Sequence, residues 1–162
     1  MKPLQDRAYE GRVNPKGIPC LYFATTREVA MSEVRPWIGS VISVARFRTE
    51  REVVVVDCSV SHLEEELPPG PGNDEEVERT VWSQIDQSFS TPVTRSDNTA
   101  EYAATQILSE LFRSCGYDGI LYKSAFSAEG RNVALFDLDC ATQIDCTLYE
   151  VRNATYDFQP LQ

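Results

Sequence analysis

Gly11-Arg12-Val13-Asn14-Pro15-Lys16-Gly17-Ile18-Pro19-Cys20-Leu21-Tyr22-Phe23-Ala24, with Glu33 shortly after it, is the stretch that decides how this chain is read. Asn14-Pro15-Lys16-Gly17 has Asn first, Pro second and Gly fourth, the order of a type I turn. A turn there folds the chain back and brings Arg12 toward Tyr22. Ile18 to Ala24 reads as a strand, with Cys20, Tyr22 and Ala24 on one face and Leu21 and Phe23 on the other. The large apolar pair is expected to take the core. Tyr22 then lies on the less apolar face, where small neighbours leave room beside its ring. On patterning alone, a half-buried sheet tyrosine without a ligand is the stronger reading.

Thr25 or Thr26 starts a short helix, with Thr25-x-x-Glu28 as a capping box, and the helix must stop before Pro36. Glu33 shares a helical face with Val29 and Ala30 and falls in the last turn, where the helix dipole disfavours negative charge. A carboxylate that breaks two local rules points to function as readily as to a solvated helix end. Within one supersecondary unit stand a basic residue, a tight turn, a strand aromatic and a carboxylate. Such a set can hold a phosphate, stack a flat ring and stabilise a developing cation.

Outward from this unit, Val41 to Phe47 and Glu52 to Asp57 read as strands, the second with the run Val53 to Val56. The Pro- and Gly-rich stretch Leu67 to Asp74, after Glu64-Glu65-Glu66, must be an irregular, solvated loop. Glu75 to Gln87 reads as a helix. A second helix starts near Asn98 or Thr99, with Glu101 completing a capping box. Its apolar stripe is Ala104, Ile107, Leu108, Leu111, Phe112 and Cys115, and Gly116 ends it. Gly119 to Ser124 and Asn132 to Leu138 read as strands, and Gln143 to Val151 as a weaker one. The expectation is an α+β fold: one domain over residues 1–162, sheet-rich, with about three helices.

The net charge is −10, which disfavours direct binding to nucleic acid because the arginines are scattered and form no basic patch. The same sign suits a basic partner. No stretch approaches the roughly 18–20 apolar residues that cross a bilayer, and residues 1–7 lack the apolar core of a secretory signal. The five cysteines form no CxxC pair, and His62 is the single imidazole, so no zinc ligand set emerges. Reduced thiols in a cytoplasm are the simplest reading. Ser124, at a strand end, has no Ser-His-Asp partners and reads by itself as a turn residue, as do Arg131 and Asn132.

Taken in order, several segments resemble the RES domain family, named after its Arg, Glu and Ser. They are Gly11 to Gly17, Leu21-Tyr22-Phe23-Ala24 and Ser32-Glu33-Val34-Arg35-Pro36-Trp37, then Tyr102-Ala103-Ala104-Thr105-Gln106, Gly116 to Ser124 and Asn132 to Phe136. The resemblance spans about residues 11–137. It implies a fold related to ADP-ribosyltransferase toxins and cleavage of NAD, as substrate and not as cofactor, by hydrolysis, phosphorolysis or transfer to a protein. It also implies a toxin neutralised by an Xre-type helix-turn-helix antitoxin that blocks the active site. By motif, Arg12, Tyr22, Glu33 and Ser124 would form that site, with Arg12, Tyr22 and Ser124 binding substrate. A homodimer is one allowed assembly, and a nucleotide- or partner-binding module without chemistry is the competing class. Only ten residues precede Gly11, fewer than in many members of the family. The acidic loop at about residues 64–74 is longer than a minimal domain requires.

The chemistry agrees with these residues. Nicotinamide leaves a cationic pyridinium as a neutral ring and needs no proton, so one carboxylate can serve where an ordinary glycosidase needs two. Glu33 is expected to bind ribose hydroxyls and stabilise the oxocarbenium-like transition state, Arg12 to hold the pyrophosphate or nearby ribose, and Tyr22 to stack on nicotinamide. Ser124 is expected to orient Glu33 or the nicotinamide amide.

Overall fold

The chain runs β1 (Leu21–Ala24), α1 (Arg27–Glu33), β2 (Val41–Thr49), β3 (Val55–Asp57), α2 (Asp74–Ser90), α3 (Ala103–Ser114), β4 (Gly119–Ser124), β5 (Ser127–Leu135) and β6 (Ala141–Glu150). It is an α+β fold, seen in a computed structural model that describes residues 2–4, 7–59, 74–92, 102–155 and 158. Four strands form a mixed sheet in the order β1-β5-β4-β3, in which only β3 and β4 run parallel, while β2 and β6 form a separate antiparallel pair. A parallel pair needs a long crossover, and here α2 and α3 lie on it.

Strand register decides which residues meet. Tyr22 and Ile120 both lie opposite Ala134, and Ala24 and Tyr122 both lie opposite Asn132. Opposed residues share a face, so these six side chains stand on one side of the sheet. Leu21, Phe23, Val133 and Leu135 stand on the other, packed with Phe47, Val53, Val55, Leu138, Cys140 and Ala141. The Phe23 and Phe47 rings meet there with centroids 5.0 Å apart, tying the sheet to the β2–β6 pair.

The face of Tyr22 is not the less apolar one. It carries the larger core: Val13, Cys20, Val56, Cys58, Phe89, Ile120, Tyr122, Ala134 and Phe136, covered by Trp82 and Ile85 of α2 and by Leu108 and Phe112 of α3. Alternation along one strand shows which residues share a face but not that both faces are covered.

Several boundaries differ from the sequence reading. The valine run enters the sheet only at Val55, because Val54 is exposed and bound through its N–H and C=O to Asp118. The β5 strand begins at Ser127 and stops at Leu135, after which Leu138–Cys140 is a 3₁₀ turn capped by Asp137. The weak candidate after it is a full strand, β6. The α3 helix starts at Ala103 with no side-chain cap, and the Asn98–Glu101 box lies outside the described residues, as do residues 64–73 of the acidic loop.

The α3 stripe is only half buried. Leu108 and Phe112 reach the core, but Ala104, Ile107, Leu111 and Cys115 face outward, and Thr105 and Ser109 are buried in their place. Their hydroxyls donate to backbone carbonyls one turn back, Thr105 to Tyr102 at 3.0 Å and Ser109 to Thr105 at 2.6 Å, so burial strands no polar group. The helix ends as expected, at Gly116 with φ of 89°.

Candidate active site

The Gly11–Ala24 unit is built around Asn14, which is buried. Its Nδ2 donates to the carbonyls of Tyr9 (2.9 Å) and Ile18 (2.7 Å), and its Oδ1 accepts from the Tyr22 hydroxyl at 2.6 Å. The tight turn is therefore one residue later than the sequence suggests. Ile18 N–H donates to Pro15 C=O at 3.2 Å, and Gly17, with φ of 88°, fills the position where a type II turn demands a positive φ. Asn14 serves as the hub of the loop and not as its turn-opening residue. Gln106 of α3 locks the same loop by donating to the carbonyls of Gly11 (3.0 Å) and Asn14 (3.1 Å).

The Tyr22 hydroxyl also accepts from Val13 N–H at 3.0 Å, so its oxygen is fixed from two sides. Burial at that end pushes the phenol pKa up, with the Val13 N–H opposing, and the group stays protonated at neutral pH. The residue as a whole is nevertheless 45% exposed. One end is anchored and the ring is open, beside the small side chains of Ala24 and Ala134.

Arg12 has a role that its sequence position does not disclose. One terminal nitrogen donates to Ser88 C=O at 2.8 Å and the other to Thr91 C=O at 2.7 Å. These carbonyls belong to the C-terminal end of α2, where a cation is favoured. A guanidinium has five N–H donors, and the bonds to these two carbonyls use two of them.

Glu33 is delivered by α1. The cap is Thr26, whose Oγ1 accepts from Val29 N–H at 3.3 Å, and not Thr25. Thr25 instead pairs with Arg131 of β5 through both its N–H and its Oγ1. Val29 is buried against Gly130, where a Cβ would lie 2.2 Å from Val29 Cγ2; the absent side chain lets α1 settle on β5. The helix then terminates in Arg35 at φ of 45°, a left-handed conformation that few non-glycine residues adopt, with its guanidinium 5.5 Å from the Phe126 ring centroid.

Glu33 Oε1 accepts two hydrogen bonds, from Ser124 Oγ at 2.8 Å and from Asn132 Nδ2 at 2.7 Å. Ser124 stands at a register shift after Lys123, and its Oγ accepts from Phe126 N–H at 3.1 Å. Both donors are buried, whereas Glu33 is exposed. Tyr122, opposite Asn132, lies within reach of both charges: burial pushes its phenol up, Glu33 adds to that shift and Arg12 opposes it.

The structure thus joins Glu33, Ser124 and Asn132 directly. It sets Tyr22 diagonally across the β1–β5 ladder from Asn132, roughly 7 Å away. It ties Arg12 to α2. Asn14, Gln106 and Asn132 are the residues that sequence reasoning missed. For Asn132 a signal existed, because it shares strand parity with Ala134 and Phe136 and is a polar residue on an otherwise apolar face.

The thiols take no part in this site. Burial raises Cys20 to about 11 and Cys58 to about 12, which keeps both protonated and inert. Among the described residues, no group of His, Cys, Asp and Glu side chains is arranged to hold a metal ion, and no helix is long and apolar enough to cross a membrane.

A mixed sheet that carries an anchored, open aromatic ring on the same face as the amide that holds a carboxylate defines the class of site. The chain belongs to the RES domain family, whose model matches residues 1–159. No curated protein and no solved structure matches it.

Proposed function

We propose that the protein is a RES-type toxin that cleaves NAD at the nicotinamide–ribose bond. The observation that carries this reading is the Glu33 carboxylate, bound through Oε1 by Ser124 and by Asn132, whose side chain shares a sheet face with the open ring of Tyr22. In the reaction the C1′–N1 bond breaks and its electron pair goes to the nicotinamide nitrogen, so no acid is required. Positive charge develops at C1′ and O4′, and a fixed carboxylate stabilises it there. An acceptor oxygen then bonds to C1′, and its proton is lost to solvent when the acceptor is water.

Tyr22 would stack on the nicotinamide ring through the face its anchored hydroxyl leaves open. Arg12 would meet the pyrophosphate with the N–H donors that α2 does not use. Ser124 would act on Glu33, which its hydrogen bond favours over contact with the nicotinamide amide. The net charge of −10 suits a partner that brings a basic segment, and family membership makes an Xre-type antitoxin the partner to try.

Purified protein incubated with NAD, with and without phosphate, should release nicotinamide, and Glu33→Gln should abolish the release while keeping the fold. Stimulation by phosphate identifies phosphorolysis. Turnover that survives in Glu33→Gln would sink the assignment.

A further inference from the structure

We infer that Asn132 is a positioning residue: its amide, with the Ser124 hydroxyl, sets the plane of the Glu33 carboxylate and leaves Oε2 as the oxygen that meets the substrate. The inference rests on the NAD-cleaving reading and assigns one more residue to it. Asn132 is 6% exposed and is flanked in register by Ala24 and Tyr122, on a face otherwise filled by Ile120, Ala134 and Phe136. An amide at such a position costs free energy unless its polar atoms are bonded. Its bond goes to an exposed carboxylate on another element, not to the backbone of the core. That choice of partner does little for the core and much for the carboxylate.

The geometry also explains why two donors converge. A single bond from Ser124 on β4 leaves the carboxylate free to swing about its side-chain axis. A second bond to the same Oε1 from Asn132, on the neighbouring strand β5, removes that freedom. A carboxylate oxygen only accepts, so the amide must face it with its nitrogen. Aspartate at this position would set acceptor against acceptor, although it has the same shape.

The test uses the full chain with Asn132→Ala and Asn132→Asp, read by nicotinamide release, by thermal midpoint and across pH. Asn132→Ala should lower kcat about tenfold to a hundredfold, the loss of one hydrogen bond to a charged group, while KM for NAD stays close to wild type. Asn132→Asp should be more severe at neutral pH. Two facing carboxylates share a proton at a raised apparent pKa, and that proton restores both the hydrogen bond and the single charge. Its activity relative to wild type should therefore climb as pH falls.

An unchanged kcat in Asn132→Ala overturns the inference, and so does a loss that follows the thermal midpoint without recovery in acid. If Asn132→Ala does not fold, Asn132→Ser carries the same readings. If wild type itself releases no nicotinamide, it is the NAD-cleaving reading that fails. Positioning is then read from the carboxyl ¹³C resonance of Glu33, assigned by its absence in Glu33→Gln. A shift of that resonance in Asn132→Ala upholds the inference, and an unmoved one overturns it.

Discussion

A Cβ on Gly11 would lie 2.6 Å from the hydroxyl oxygen of Tyr22. The glycine is therefore required by contact, not by backbone conformation, and the contact is with the residue proposed to stack on nicotinamide. Gly11→Ala should push the phenol out of its seat between Val13 N–H and Asn14 Oδ1. The expected result is weaker NAD binding and a loss of about 1–2 kcal/mol of stability. Calorimetric titration with NAD and thermal unfolding check the two halves separately.

The same seat refines what Tyr22 variants should do. Tyr22→Phe keeps the ring but leaves Asn14 Oδ1 and Val13 N–H without their partner, which costs roughly 1–3 kcal/mol where water does not replace it. Tyr22→Ala removes the ring. Phe should thus unfold earlier than wild type yet bind NAD nearly as well, whereas Ala should lose binding. Equal affinity in both variants would remove stacking from the proposal.

Arg12 couples the loop to α2, so its variants carry a structural effect as well as a chemical one. Arg12→Lys cannot donate to Ser88 C=O and Thr91 C=O together in the planar geometry that the guanidinium uses. The loss should be about 1 kcal/mol, discounted for partial exposure of the group. Saturating NAD should raise the thermal midpoint of wild type more than that of Arg12→Lys. An equal rise would show that Arg12 makes no ligand contact.

How much of this was legible in the sequence differs from residue to residue. Strand β4 was legible from Gly119 to Ser124 because its apolar run is regular, and Pro36 set the limit before which α1 ends, at Glu33. The half-buried stripe of α3 was not legible, since Thr105 and Ser109 hide their polarity in bonds to their own helix. Glu33 stood out by violating local rules. Asn132 did not, because its meaning depends on a register with β1 and β4 that joins residues far apart in the chain. The task of Arg12 likewise depends on α2, which follows more than fifty residues later.

Acid stability should be governed in part by the joint between Arg51 and Asp118. Asp118 accepts from the Arg51 guanidinium at 2.6 Å and from Val54 N–H at 2.8 Å, and both hold its carboxyl below the usual range. A carboxylate depressed in the folded state adds stability above its ordinary pKa of about 4 and loses it as pH falls through the lower folded value. Asp118→Asn should therefore be less stable than wild type at neutral pH and should lose less on acidification. Urea midpoints followed down from pH 6 test the slope; parallel curves would assign no linkage to this pair.

Gly130 controls Glu33 without touching it. A Cβ there would meet Val29 Cγ2 at 2.2 Å, and Glu33 lies one turn beyond Val29 on the same side of α1. Gly130→Ala should lift the helix from β5 and lengthen the Glu33 bonds to Ser124 and Asn132, which now stand at 2.8 and 2.7 Å. Turnover should fall while NAD affinity, which the proposal assigns to Tyr22 and Arg12, changes little. Val29→Ala removes the clashing methyl but empties a buried position, so alone it should cost roughly 1–3 kcal/mol of stability and keep much of the activity. Combining the two should restore turnover above that of Gly130→Ala, a coupling that independent sites would not show. If the double variant is merely additive, the seat of α1 on β5 does not set the carboxylate, and the register of β4 and β5 alone must do so.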